Sequence, residues 1–140
     1  MLDLEAARKI VFAAITHAQD HKLKPLAIGV YDARGALKAF LAQDGTSLKR
    51  GDIAGGKALG ALAMGVGSRA LAKMAADRPA FVAAATAAVG GTLIPVPGGV
   101  LIKQGGEIIG AVGISGDTSD NDEAAALAGI EAAGLEADAG

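Results

Sequence analysis

Apolar positions recur with a helical period at the start of the chain. Leu4, Ala7, Val11, Ala14, Ile15 and Ala18 fall on one face of DLEAARKIVFAAITHAQDHKL, behind Asp3 as N-cap. The segment is predicted to be an amphipathic helix. Pro25 separates it from LAIGVYDARGALKAFLAQDG, where two apolar runs flank the polar turn Asp32-Ala33-Arg34-Gly35 and predict a β-hairpin. From Ser47 to Met64 the composition turns helical again, although Gly51, Gly55, Gly56 and Gly60 each cost about 1 kcal/mol relative to alanine in a helix interior. Glycines in such places imply close packing against a neighbouring backbone or a ligand. SRALAKMAAD and RPAFVAAATAAV read as two further short helices before Gly90-Gly91.

Between Thr92 and Ser115 the pattern changes to β-branched runs punctuated by Pro95, Pro97, Gly98-Gly99 and Gly105-Gly106, which predicts about three short strands. SDNDEAAALAGIEAAGLE is then a final helix, with Ser119 or Asp120 placed to cap it and Asp122 or Glu123 three residues on. Strands joined by short turns imply an antiparallel sheet, of about five strands, with helices packed on it: an α/β fold of the α+β type. With neither a repeat nor a linker in 140 residues, the expected organisation is one domain over 1–140.

Composition narrows the function. Hydrophobic residues make up 51%, mostly alanine and small aliphatics, and 21 glycines accompany them. Small side chains bury little area each, so association into a homo-oligomer is expected to supplement the core. A net charge of -2 and only 3% aromatics (Phe12, Tyr31, Phe40, Phe81) exclude the basic stripe and stacking platforms of a nucleic-acid binder. The absence of cysteine removes disulfides, thiolate catalysis and sulfur-ligated metals. No apolar run reaches the ~20 residues of a membrane span, and MLDLEAARKIVFAA lacks a signal-peptide core, so a cytoplasmic, non-membrane protein is expected.

The glycine-rich stretch GEIIGAVGISGDTSDNDEAA invites a nucleotide or calcium reading, and the spacing rejects both. A P-loop needs a Gly-Lys-Ser/Thr ending that is absent, and Gly110, Gly113 and Gly116 lack Rossmann spacing. The acidic residues do not alternate as an EF-hand requires. A strand end, a glycine turn and a capped helix start account for the stretch, with room for an anionic ligand at the helix tip.

These residues, together with LEAARKI, VYDARGALKAF, QDGT, KALGA and PGGVLI, resemble the GlcG/HbpS family of haem-binding-like proteins, related to the C-terminal domain of PduO-type proteins. The resemblance covers nearly the whole chain, and its last block is the specific part. It implies a profilin-like fold, assembly into dimers or larger oligomers, and binding of haem or iron. It also implies a role accessory to a catabolic or redox-stress pathway. Two departures stand out: Ala42 precedes Gln43-Asp44-Gly45 where relatives carry arginine, and Leu101 stands where proline follows their Gly-Gly-Val.

Haem iron takes imidazole among its usual donors, and His17 and His21 sit four apart on one flank of the first helix. The pair suits a divalent metal as well; equally, histidines near a helix end are favoured by its dipole. The resemblance to PduO-type relatives points to His17 for haem. Lys57, among small residues, either meets a ligand carboxylate, forms an imine as the nucleophile of a lyase or isomerase on a small oxyacid or carbonyl metabolite, or is solvated. A small-ligand pocket is expected where Lys57, Gly98, Gly99, Ser115 and Gly116 converge beside the first helix.

Overall fold

The computed structural model describes residues 1–140. The elements run α1 (Leu4–Asp20), β1 (Ala27–Asp32), β2 (Leu37–Ala42), α2 (Arg50–Met64), α3 (Ser68–Asp77), α4 (Pro79–Ala88), β3 (Gly99–Gln104), β4 (Glu107–Ser115), α5 (Ser119–Ala132) and β5 (Glu136–Asp138). The strands form one five-stranded sheet in the order β2-β1-β4-β3-β5, every neighbouring pair antiparallel. The expected class and strand number are therefore observed.

Strand alternation sorts the sheet into two unlike faces. Ile28, Val30, Val100, Ile102, Val112 and Ile114 face α1 and α5, joining Ile10, Val11, Ala14, Ala125 and Ile130 in the main core. Each fully buried aliphatic of this kind contributes about 1.5–3 kcal/mol. α1 and α5 lie against each other there, with Gly129 passing close over the Ile10 carbonyl. The other face carries smaller residues and holds α2 through Ala58, Ala61, Leu101 and Ala111. α3 and α4 extend from the end of α2 around a satellite cluster of Leu71, Val82 and Leu93.

Local signals explain most ends. Asp3 caps α1 by accepting the Ala6 N–H at 2.8 Å, Gly65 closes α2 in the left-handed region at φ 71°, and Pro79 starts α4. Three expectations are corrected. Residues between Thr92 and Ser115 form two strands, not three, because Thr92–Gly98 is a loop laid along α2 with Ile94 N–H donating to Gly56 O at 3.1 Å. The fifth strand is instead β5, and it ends the final helix early: α5 stops at Ala132. The cap of α5 is Thr118, whose hydroxyl accepts the Asn121 N–H at 3.2 Å, so Ser119 and Asp120 are already helical.

Candidate functional site

Register brings three glycines into one row across the sheet: Gly29 pairs with Gly113, and Gly113 with Gly99. All three lie on the α2 face; the helix settles into the space left by Gly99 and Gly113, and the Tyr31 side chain fills the space beside Gly29. A Cβ on Gly113 would stand 1.9 Å from the Ala54 carbonyl oxygen, and one on Gly99 would stand 2.3 Å from that of Lys57. Gly99 and Gly113 therefore admit a helix backbone, not a ligand. The concavity expected at this junction is filled by the protein itself.

That close seating carries Lys57 past Gly98 to the end of β4, where its ammonium donates to Ile114 O at 2.9 Å and to Asp122 Oδ2 at 3.1 Å. The other Asp122 oxygen accepts the Asp117 N–H at 2.9 Å. Both side chains are shut off from water, at 3% and 1% exposure. Burial pushes the Lys57 pKa down against the opposing pull of Asp122. It pushes Asp122 up against the Asp117 amide and Lys57. Desolvation thus narrows the gap between the two groups while geometry holds them paired. The carboxylate that Lys57 meets is the chain's own, and an imine-forming role has no approach route for a carbonyl substrate.

The other residues of the expected pocket serve this junction. Ser115 Oγ accepts from Arg50 Nη1 at 3.1 Å. The Gly99 N–H donates to Ser68 Oγ at 2.7 Å, a partner that sequence reasoning missed because it lies on another helix. Gly98 lies against the Ile114 carbonyl and Lys57 Nζ, and Gly116 against the Pro25 carbonyl. Lys57, Gly98, Gly99 and Ser115 are brought together, but as a closed polar clasp between α2, β3, β4 and the start of α5.

His17, on α1, and His21, the residue that caps its C-terminus, lie apart from it, across the sheet from α2. Their rings stack with centroids 4.0 Å apart, and His21 Nδ1 donates to His17 O at 2.9 Å, which leaves its Nε2 free. Partial burial, followed by the neighbouring His21, lowers the His17 pKa from 6.5. His17 is thus a neutral imidazole with an available lone pair at neutral pH. No group of three or more His, Asp or Glu side chains is arranged around a common point, so the pair supplies at most two donors to an ion within one chain.

An open cleft of about 380 Å³ lies beside α2, between Tyr31, Asp52, Leu59 and the Thr92–Ile94 loop, with Gly51, Gly55 and Gly56 in its lining. Burial, then Asp52, raises the Tyr31 pKa. Its lining holds a phenol and a carboxylate but no cation, a poor match to the propionates of haem. No helix is long and apolar enough to cross a membrane.

A family model described as haem degrading protein HbpS-like matches residues 2–131. No curated protein sequence matches the chain. Among solved structures, HbpS is similar at 27% identity and a TM-score of 0.81, over 93% of this chain and 88% of that one. A double mutant of HbpS from Streptomyces reticuli is similar at 28% identity and a TM-score of 0.80, over 93% and 85%. The fold is also that of a PduOC:heme complex, at 24% identity and a TM-score of 0.86 over 96% of both chains.

Proposed function

Because this chain belongs to the HbpS-like family, we propose that it is a haem-binding protein in which His17 on α1 is the donor to iron. The family description and the haem complex among its structural neighbours support the ligand class. The single observation that carries the assignment to His17 is its partly buried imidazole, held neutral by burial and by His21. Bound haem would supply an iron centre able to take part in ligand binding or redox chemistry. The chain's own part is to present the His17 nitrogen, with His21 stacked behind it to fix the ring.

One chain offers haem a wall at α1 and no enclosing slot, since His17 lines none of five surface clefts on the chain. A homo-oligomer supplies the second wall in this reading. The same histidine pair would hold iron or another divalent metal only with donors from a further copy. A cytoplasmic, accessory role in a catabolic or redox-stress pathway completes the proposal. Titration of haemin into the purified protein is expected to give a saturable Soret shift that is lost in His17→Ala and kept in His21→Ala. No saturable shift in the wild type refutes haem binding; a shift unchanged in His17→Ala refutes the donor.

A further inference from the structure

The two edges of the sheet are unlike. β5 closes one edge with three residues, two of them acidic, and with Lys103 Nζ bonded to Asp138 Oδ2 at 2.6 Å. Short, charged edge strands resist pairing with another chain. β2 closes the other edge with six residues, LKAFLA, of which one is charged. It leaves Leu37 56%, Phe40 40% and Leu41 37% exposed, beside Phe12 of α1 at 54%. Taking about 200 Å² for a large apolar side chain, these four leave roughly 350 Å² of apolar surface in water. That is nearly half of the ~800 Å² each partner buries in a standard interface. Arg8, Val11, Phe12 and Ala39 to Leu41 line a shallow groove of about 240 Å³ along this edge.

The backbone of β2 has a defined free side. Gln43 N–H donates to Leu26 O at 2.9 Å, and the register runs Ala42 to Ala27 and Phe40 to Gly29. Alternation in an antiparallel ladder then turns the N–H and C=O of Leu41 and Ala39 inward, and those of Phe40 and Ala42 outward. A bulge beside Val30 and Tyr31 interrupts the ladder at Lys38, so regular pairing is confined to the Ala39–Ala42 half.

We propose that this edge is occupied by a second copy of the chain, β2 against β2 in antiparallel register with a two-fold axis at Phe40, giving one continuous ten-stranded sheet. A two-fold axis normal to the sheet requires opposed residues to share a face, and the outward groups of Phe40 satisfy it by bonding to themselves. The strand is self-complementary in this register. Phe40 meets Phe40 and Leu41 meets the small Ala39 on both sides of the axis, while Lys38 sits in the bulge beyond these regular pairs, so the only charge on the strand never faces its like. The inference does not depend on haem.

The chain has no cysteine, so Phe40→Cys introduces a single thiol. Residues at a hydrogen-bonded antiparallel pair have Cα atoms ~5.5 Å apart, within the disulfide range. Oxidation of apoprotein with copper phenanthroline is expected to convert Phe40→Cys to a covalent dimer at protein concentrations where Lys73→Cys, on α3, stays monomeric on a denaturing gel. Ala42→Pro removes an outward N–H that no intrachain bond uses; light scattering is expected to show at least a tenfold weaker self-association with an unchanged circular dichroism spectrum. A wild-type monomer at every concentration overturns the proposal and assigns the edge to a different chain. A wild-type oligomer in which Phe40→Cys fails to cross-link, or folded Ala42→Pro associates as before, overturns it too.

Discussion

Removing one partner of the Lys57–Asp122 pair is expected to cost far more than removing both. In Asp122→Ala the ammonium stays 3% exposed and keeps only the Ile114 carbonyl; an unpaired buried charge costs about 3–5 kcal/mol. The Asp117 N–H loses its acceptor as well, adding about 1 kcal/mol. Lys57→Met strands the carboxylate with one amide donor and is expected to cost about 3–4 kcal/mol. The double variant Lys57→Met/Asp122→Leu carries neither charge. It forfeits the Asp117 contact and is expected to lie within about 2 kcal/mol of wild type. Single losses summing to ~8 kcal/mol against a double loss near 2 leave a coupling of several kcal/mol, large beside a total stability of about 5–15. Urea unfolding followed by circular dichroism, at one protein concentration for all four proteins, measures it. Additive single effects, with a coupling below ~1 kcal/mol, would refute the view that these groups are desolvated together.

Gly113→Ala is expected to lower stability by about 3 kcal/mol or more, since its Cβ would lie 1.9 Å from the Ala54 carbonyl and α2 must lift off the sheet; thermal unfolding within 0.5 kcal/mol of wild type contradicts the seating described. If His17 is the iron donor, haem must be lost as that imidazole protonates, and its pKa lies below 6.5. Binding is therefore expected to persist as the pH falls through 6.5 and to fail only lower. His21→Ala, by removing the neighbour that helps to lower the His17 pKa, moves the loss upward. Soret absorbance against pH reads both, and a midpoint at or above 6.5 in the wild type argues against His17.

The helices and the hairpin were legible because each carries its own signal within a few residues: Asp3 before an apolar stripe, or Asp32 to Gly35 between two apolar runs. β5 was not, because Glu136–Asp138 is three residues long and polar at both ends, and it becomes a strand only by finding Leu101 to Lys103 across the sheet. The row of Gly29, Gly99 and Gly113 was visible as unusual glycine, yet only strand register reveals that the three align, and only the packing shows a helix backbone seated at Gly99 and Gly113. Asp122 misled for a similar reason. Its place three residues after Ser119 reads as a capping box, whereas its partner stands 65 positions away in α2. Long-range ion pairs leave no local spacing to read. The same holds for Ser68, whose bond to Gly99 spans 31 positions.

The glycine row also bears on how the chain tolerates change. When a new methyl group collides with a neighbouring side chain, a second mutation can trim that neighbour and restore the fit. At positions 99 and 113 the obstacles are the carbonyl oxygens of Lys57 and Ala54, which every amino acid possesses. Shortening a facing residue cannot suppress a substitution there; a genetic screen for revertants should recover only the original glycine or changes that move the whole helix.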